Sequence, residues 1–440
     1  MASTTLNAAL GGKVELLRDK AWARWTALGL LSFAMFCSYI FMDILSPIKD
    51  LLQSTRGWDS TAFGTMQGSE TFLNVFIFFL IFAGIILDKM GVRFTALLSG
   101  AVMLVGASIN WYALTDAFIG SSLDVWFTNH LNYIPGFDEL GISPFYKGMP
   151  ASAKLSAVGF MIFGCGVEMA GITVSRGIVK WFKGREMAMA MGSEMALARL
   201  GVGTCMIFSP LVANFGGDIS VSRSVAFGVV LLMVALIMFV VYFFMDKKLD
   251  AQTGEAEEKD DPFKISDLGK ILSSLGFWVV ALLCVLYYSA IFPFQKYAVN
   301  MLQCNLTLDP GSVGSFWSGD AATYIQYVIM LIVAGGAFGF SFAKNKSVKI
   351  PALVVSVIAL VAYCTMGYMR QSAAAIFAVF PLLAVGITPI LGNYVDYKGK
   401  AASMLVFGAL LLIVCHLTFA FILPMFKGND IGGVMVAYVT

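Results

Sequence analysis

The amino-acid sequence predicts an all-α protein that crosses a membrane many times, and three observations carry that prediction. Of 440 residues, 59% are hydrophobic and only 13% charged, with a mean hydropathy of +0.81, whereas about a quarter of an average soluble chain is charged. The apolar residues recur in runs of about 20 or more, the length a helix needs to cross a hydrocarbon layer of about 30 Å. Lys and Arg gather in alternate intervals between those runs, the bias that marks a cytoplasmic side.

The elements follow in order. Residues 1–21 form a polar arm of mixed charge, unlike a cleaved signal peptide. Hydropathy then gives spans near 22–50, 62–87, 92–115, 154–180, 186–213 and 222–245. The stretch DKKLDAQTGEAEEKDDPFK at 246–264 is the longest charged segment and the natural boundary between two halves. Further spans lie near 272–302, 322–343, 350–369, 372–394 and 401–425, and a last apolar run opens at GGVMVAYVT. With the N-terminus inside, nineteen of the 29 basic residues fall on inner segments and eight outside, leaving Arg176 and Arg199 within spans. Seven Cys are scattered singly, and His130 and His416 are far apart. Neither a disulfide framework nor a metal site is indicated, and no cofactor or nucleic-acid partner is expected.

Two stretches resemble each other. GIILDKMG at 84–91 and GNYVDYKG at 392–399 each set a Gly, an acid four residues on and a Gly three after that: Gly84, Asp88, Gly91 and Gly392, Asp396, Gly399. Both lie between apolar runs on the inner side. A turn repeated once per half on one side implies an internal duplication with parallel repeats. In such a gating motif Gly84 would let helices approach closely. Asp88 would cap a helix or pair with an Arg, and Gly91 with Arg93 would make the tight inner turn.

GIILDKMGVRF resembles the signature loop between helices 2 and 3 of the major facilitator superfamily, Gly-x-x-x-Asp-x-x-Gly followed by a basic residue. WFKGREMAMAMG (181–192) is similar to the inner loop between helices 4 and 5 of many members. FWVVALLCVLYYSAIFPF (277–294), GCGVEMA (164–170) and MALARLG (195–201) resemble helices 7, 4 and 5 of the branch that includes a lysosomal dipeptide carrier. The resemblance covers most of 22–303 and 385–425 and fails between them.

Spacing then refines the expected plan. Asp88 lies 66 residues from the start of the first span, but Asp396 lies 124 from the start of the second half. The surplus of 58 fits two extra helices, so 322–369 reads as an inserted hairpin, with 372–394 and 401–425 as helices 8 and 9. Counting every span in order as helices 7 to 12 would instead put Asp396 between helices 10 and 11, and the motif argues against that. Only 44 residues follow Asp396, so the C-terminal bundle reads as truncated at the start of helix 10. The domain plan is an arm at 1–21, a six-helix bundle at 22–245, a cytoplasmic linker at 246–271 and a C-terminal bundle at 272–440.

Charges within spans need a partner or a purpose, because each costs several kcal/mol in hydrocarbon. Glu168 falls near the middle of the fourth span and Arg199 near the middle of the fifth. Asp43 and Glu70 lie roughly 7–9 Å outward of the midplane at 1.5 Å per residue. Glu194 lies a similar distance inward, and Lys296 falls near an outer end where its stem could snorkel to water. Such a set suits a zwitterion, with Arg199 taking a carboxylate as a planar fork and an acid taking the ammonium group. The competing expectation is a structural salt bridge between Glu168 and Arg199. The family resemblance implies substrate contact for Glu168 and Arg199, and for Asp43 on a weaker match. Glu70 rests on its position alone. Tyr287 and Tyr288 could line the cavity, though packing is the ordinary role of such residues.

The expected function is a secondary transporter moving small peptides or amino-acid-like zwitterions by alternating access, as a facilitated uniporter. Proton-coupled symport of another small organic solute stays open, as does a non-transporting sensor or scaffold. An enzyme is not expected, since no H-E-x-x-H, G-x-S-x-G or paired intramembrane Asp motif is found. The short arm and modest loops suit a bacterial inner membrane, with a lysosomal membrane as the alternative that the resemblance implies.

Overall fold

The computed structural model describes residues 16–440 apart from 138, 140, 184–185, 254–264, 310–311, 344, 399–400 and 427–429. Among them the chain is helical and contains no strand. Helices α1 (Ala21–Asp43), α2 (Lys49–Arg56), α3 (Ser60–Ser69), α4 (Phe72–Phe76) and α5 (Phe79–Ala113) come first. They are followed by α6 (Ser122–Asn129), α7 (Ala151–Trp181), α8 (Met187–Ala213) and α9 (Val221–Thr253). After the undescribed 254–264 come α10 (Ile265–Leu272), α11 (Leu275–Asn305), α12 (Ser315–Ser318), α13 (Asp320–Phe342) and α14 (Lys346–Met369). The chain continues through α15 (Ala373–Phe377), α16 (Val379–Lys398), α17 (Ala401–Leu417) and α18 (Asp430–Val439). Local chemistry starts several of them. Asp59 accepts from the Ala62 amide at the head of α3, and Ser121, Asn345 and Ser372 do the same for α6, α14 and α15, satisfying amides that have no intrahelical acceptor.

Nine helices among the described residues are long and apolar enough to cross a membrane. Most sit where hydropathy places them, but several expected spans are divided, among them 22–50, which breaks after Asp43. The run at 62–87 is divided into α3, α4 and the start of α5, and 372–394 breaks after Phe377. Within 62–87 the first break follows Gly68 and Ser69 and precedes Thr71, residues that resist the helix weakly or prefer its ends. The second lies at Phe78, which adopts a φ of 55°, a region that bulky side chains rarely enter. The charged stretch at 246–264 begins as helix, because α9 runs on to Thr253.

The helices group into two compact units. Met1–Phe41, Leu51–Glu194 and Val221–Ile265 make up the first, and Met42–Asp50, Met195–Ser220 and Ser266–Thr440 the second. In the first unit α5 packs along α7 and α9 packs on α5, while α3, α4 and α6 lie against α7. The α5–α7 seam is tight because it is built from glycine. A methyl added to Gly106 would overlap the Phe163 amide nitrogen and lie 2.5 Å from the Gly159 carbonyl oxygen. Small residues at such a seam let dispersion forces act between whole helices in a solvent that offers no hydrophobic drive. On the outer side, Lys154 is buried and donates to the carbonyls of Phe127 (2.9 Å) and His130 (3.1 Å) and to Asn132 Oδ1 (2.9 Å). Burial and the nearby Asp59 carboxylate push the Tyr146 phenol up to about 12.

In the second unit α13 and α14 pack against each other as a hairpin, and α16 lies on α13. Helix α15 touches α11, α14 and α18. Phe294 of α11 gathers Phe377, Phe380, Phe419 and His416 around it, with ring centroids 5.1–6.2 Å away, distances at which aromatic pairs attract. Substituting Gly106 with Ala should lower the melting temperature of the detergent-purified protein, since overpacking costs about 1–3 kcal/mol. Gly84→Ala serves as the control, because a methyl there meets nothing within 4 Å. Equal melting of the two variants would refute the glycine seam.

Candidate functional site

The residues expected to contact substrate fall in both units. Glu70 and Glu168 belong to the first, and Asp43, Arg199, Tyr287 and Tyr288 to the second.

In the first unit the division of the second apolar run places Glu70 directly after α3, where it is buried. Its carbonyl oxygen sits where a methyl on Gly164 would be, and its Cγ is 3.1 Å from that point. Gly164 and Glu168 are four residues apart on α7 and share a face. The Glu70 side chain therefore packs on the strip of α7 that carries Glu168 one turn further on. Glu168 is half-buried and makes no hydrogen bond or ion pair among the described residues. Two carboxyl groups along one strip form an acidic surface suited to an ammonium group. Glu194 is also buried, with no hydrogen-bond or ion-pair partner among the described residues.

In the second unit Asp43 ends α1 and has no exposed surface. Lys296 Nζ lies 2.7 Å from Asp43 Oδ1 and also donates to the Met42 carbonyl at 2.9 Å. Gln295 Nε2 donates to Asp43 Oδ2 at 2.6 Å. The structure thus corrects the snorkelling expectation: the Lys296 ammonium turns inward to a buried carboxylate. The ion pair and the Met42 bond together fasten the end of α1 to α11. The signal in the sequence was a pair of opposite charges, both displaced outward from the middle of their spans. Arg199 is half-buried on α8 and makes no hydrogen bond or ion pair among the described residues. Tyr287 donates to the Leu405 carbonyl at 2.7 Å, and Tyr288 is 58% exposed and stacks on Phe292 at 5.1 Å. The structure gives both tyrosines packing partners.

The inner motif is held by a charge network within the first unit. Gly91 takes φ 76° and ψ 167°, a positive-φ conformation that glycine enters freely, and kinks the chain inside α5. Asp88 pairs with Arg176 at 2.5 Å. Arg93 reaches Asp250 at 3.3 Å and lies over the Phe243 ring. Asp246 has no exposed surface and receives Lys180 Nζ at 2.7 Å, Trp181 Nε1 at 2.9 Å and the Tyr242 hydroxyl at 3.2 Å. Asp246 and Asp250 were hidden from sequence reasoning because they open the charged stretch read as a linker. Gly84 does not provide a close approach, since a methyl there would meet open space among the described residues. Gly392 and Asp396 lie on the backbone of α16, with their side-chain surroundings outside the described residues, and Gly399 lies outside them altogether.

Comparison with known proteins decides the family. The sequence pattern of the Major Facilitator Superfamily matches residues 31–370. The chain belongs to the Major Facilitator Superfamily. It is a multi-pass membrane protein of a family of transporters rather than enzymes, and the matched region runs through both helices of the α13–α14 hairpin. Curated relatives include the lysosomal dipeptide transporter MFSD1 of Bos taurus, 22% identical over 352 residues, covering 78% of this chain and 65% of that protein. The Homo sapiens protein of the same name is 22% identical over 335 residues, covering 74% and 62%. The chain thus spans less than two thirds of the length of these relatives. Solved superfamily structures that it resembles include the E. coli xylose transporter XylE in a partially occluded inward-open conformation, at a TM-score of 0.43 and 11% identity, covering 94% of this chain and 95% of that one. Another is a bacterial homologue of the human drug peptide transporters PepT1 and PepT2, at 0.42 and 12%, covering 89% and 99%.

Removing one member of the Asp43–Lys296 pair should destabilise this superfamily member strongly. Lys296→Ala leaves a buried carboxylate without its cation, a loss of about 3–5 kcal/mol. The double variant Asp43→Asn, Lys296→Met should recover most of it in a thermal-melting double-mutant cycle. Additive losses would show that the two side chains do not act as a pair.

Proposed function

We propose that this chain is a secondary transporter that moves small peptides or amino-acid-like zwitterions across a membrane by alternating access, as a facilitated uniporter. The observation that carries the reading is a pair of intramembrane charges, Glu168 and Arg199, each half-buried and each without a hydrogen-bond or ion-pair partner among the described residues. In a low-dielectric span such groups call for a partner from outside the protein. A dipeptide offers both complements. The guanidinium fork of Arg199 in the second unit suits a carboxylate, and the acidic strip of Glu70 and Glu168 in the first unit suits an ammonium group. The names of the MFSD1 relatives support a dipeptide as the cargo.

Asp43 enters this reading differently from the other acids. Because Lys296 already neutralises it, a substrate ammonium reaches Asp43 only by displacing Lys296. The fastening of α1 to α11 is then a contact that substrate binding and gate opening share. No metal or cofactor is required, since binding energy and rocking of the bundles suffice for downhill transport.

Uptake of a radiolabelled dipeptide into proteoliposomes tests the proposal. The wild-type chain should show saturable uptake that reaches the same level with and without a pH gradient. Arg199→Ala should reduce uptake at least about tenfold, the scale of losing a charge-assisted bidentate contact. Accumulation that follows the proton gradient would replace uniport with symport. Wild-type uptake that Arg199→Ala leaves unchanged would remove the zwitterion site.

A further inference from the structure

A second place in the molecule holds opposite charges around a polar space. Within the second unit, Asn214 of the segment after α8, Ser318 of α12, Asp320 and Thr323 of α13, Arg370 at the end of α14 and Ser372 line a cavity of about 130 Å³. The residues that meet here, 214, 318–320 and 370–372, all lie at the outer side by the distribution of Lys and Arg. Allowing about 30 Å³ for a liquid water molecule, the space holds roughly four waters or one small organic ion.

Arg370 forms the positive wall. Its Nε donates to the Trp317 carbonyl at 3.3 Å, its Nη1 to Gln326 Oε1 at 2.5 Å, and its Nη2 to Thr323 Oγ1. A guanidinium carries five N–H donors, so two are left. All three acceptors are neutral, and burial opposes the charge while the field of Asp320 favours it. Arg370 nevertheless makes no ion pair with Asp320 or any other acid among the described residues. The protein holds a cation and an anion on the same small cavity and keeps them from closing on each other. Asn214 adds a side-chain amide with no protein partner among the described residues. Ser372 contributes a hydroxyl whose oxygen caps α15 and whose proton is available.

We propose that this cavity is a binding site for the head group of a small α-amino acid, with the carboxylate on Arg370 and the ammonium group on Asp320. The two charges of an α-amino acid are about one hydrogen-bond length apart, so one molecule bridges groups that the fold keeps out of direct contact. The volume admits glycine. The site stands apart from Arg199 and does not rest on the transport reading.

Glycine binding to the full chain in detergent, followed by saturation-transfer NMR and thermal shift, tests this with acetate and methylammonium as half-ligands. Glycine should bind at least about tenfold more tightly than either half-ligand, the factor expected when a second charged contact is added. Asp320→Asn should weaken glycine about tenfold and leave acetate unchanged, a switch that a structural defect would not produce. Arg370→Gln should abolish both, and in an Arg199→Ala background a glycine site that Asp320→Asn weakens should persist. The proposal is overturned if the wild-type chain binds no glycine, if Asp320→Asn leaves glycine affinity intact, or if Arg199→Ala removes it. Because Arg370 also ties α12, α13 and α14 together, the Asp320→Asn selectivity carries the decision if Arg370→Gln fails to fold.

Discussion

Asp43 and Asp246 have no exposed surface, and an ionised carboxylate out of contact with water is tolerated only where cations and donors surround it. Much of the helix arrangement within each unit can be traced to that requirement. Asp43 draws Lys296 and Gln295 of α11 to the end of α1. Asp246 draws Lys180 and Trp181 at the end of α7 onto α9. Asp43 sits at the end of its own helix, and Asp246 holds the end of α7 from within α9, so satisfying each charge also sets where one helix stops against another. Apolar packing alone would leave the helices free to slide, because Leu, Val and Ile fit one another at many registers.

Glycine does the complementary task. The Gly106–Gly159 contact brings α5 and α7 to backbone distance, and the Gly164 contact presses the backbone of Glu70 onto the same helix. Helix α7 therefore carries a structural contact near its outer third and an acidic strip just below it. The break in the second apolar run serves that arrangement. A continuous helix would keep the Glu70 carbonyl bonded along its own axis, whereas the interrupted chain turns it against α7.

Much of this was legible in the sequence, for reasons that can be named. Long apolar runs announce spans because nothing else in hydrocarbon satisfies a backbone. The Gly91 kink and the Asp88–Arg176 pair follow from a Gly and an acid set between two such runs beside a basic end. Hydropathy averaged over a whole span smooths over the polar stretch 67–71 around Glu70, and it could not see the φ of Phe78, which lies within apolar composition. Lys296 was misread because a lysine near a span end satisfies snorkelling and ion pairing equally well, and only the fold brings Asp43 alongside. Asp246 was hidden by its charged neighbours, and Arg370 by its place in a short outer connection. Residues whose partners lie dozens to hundreds of positions away carry no local signature.

Lys154 bears on how the chain enters its membrane. Its three acceptors, the carbonyls of Phe127 and His130 and the amide oxygen of Asn132, all belong to the long connection between α5 and α7. The ammonium group near the outer end of α7 has nothing to hold it until that connection has passed through the bilayer and folded. Translocation of the loop and final seating of α7 are thereby coupled during biogenesis.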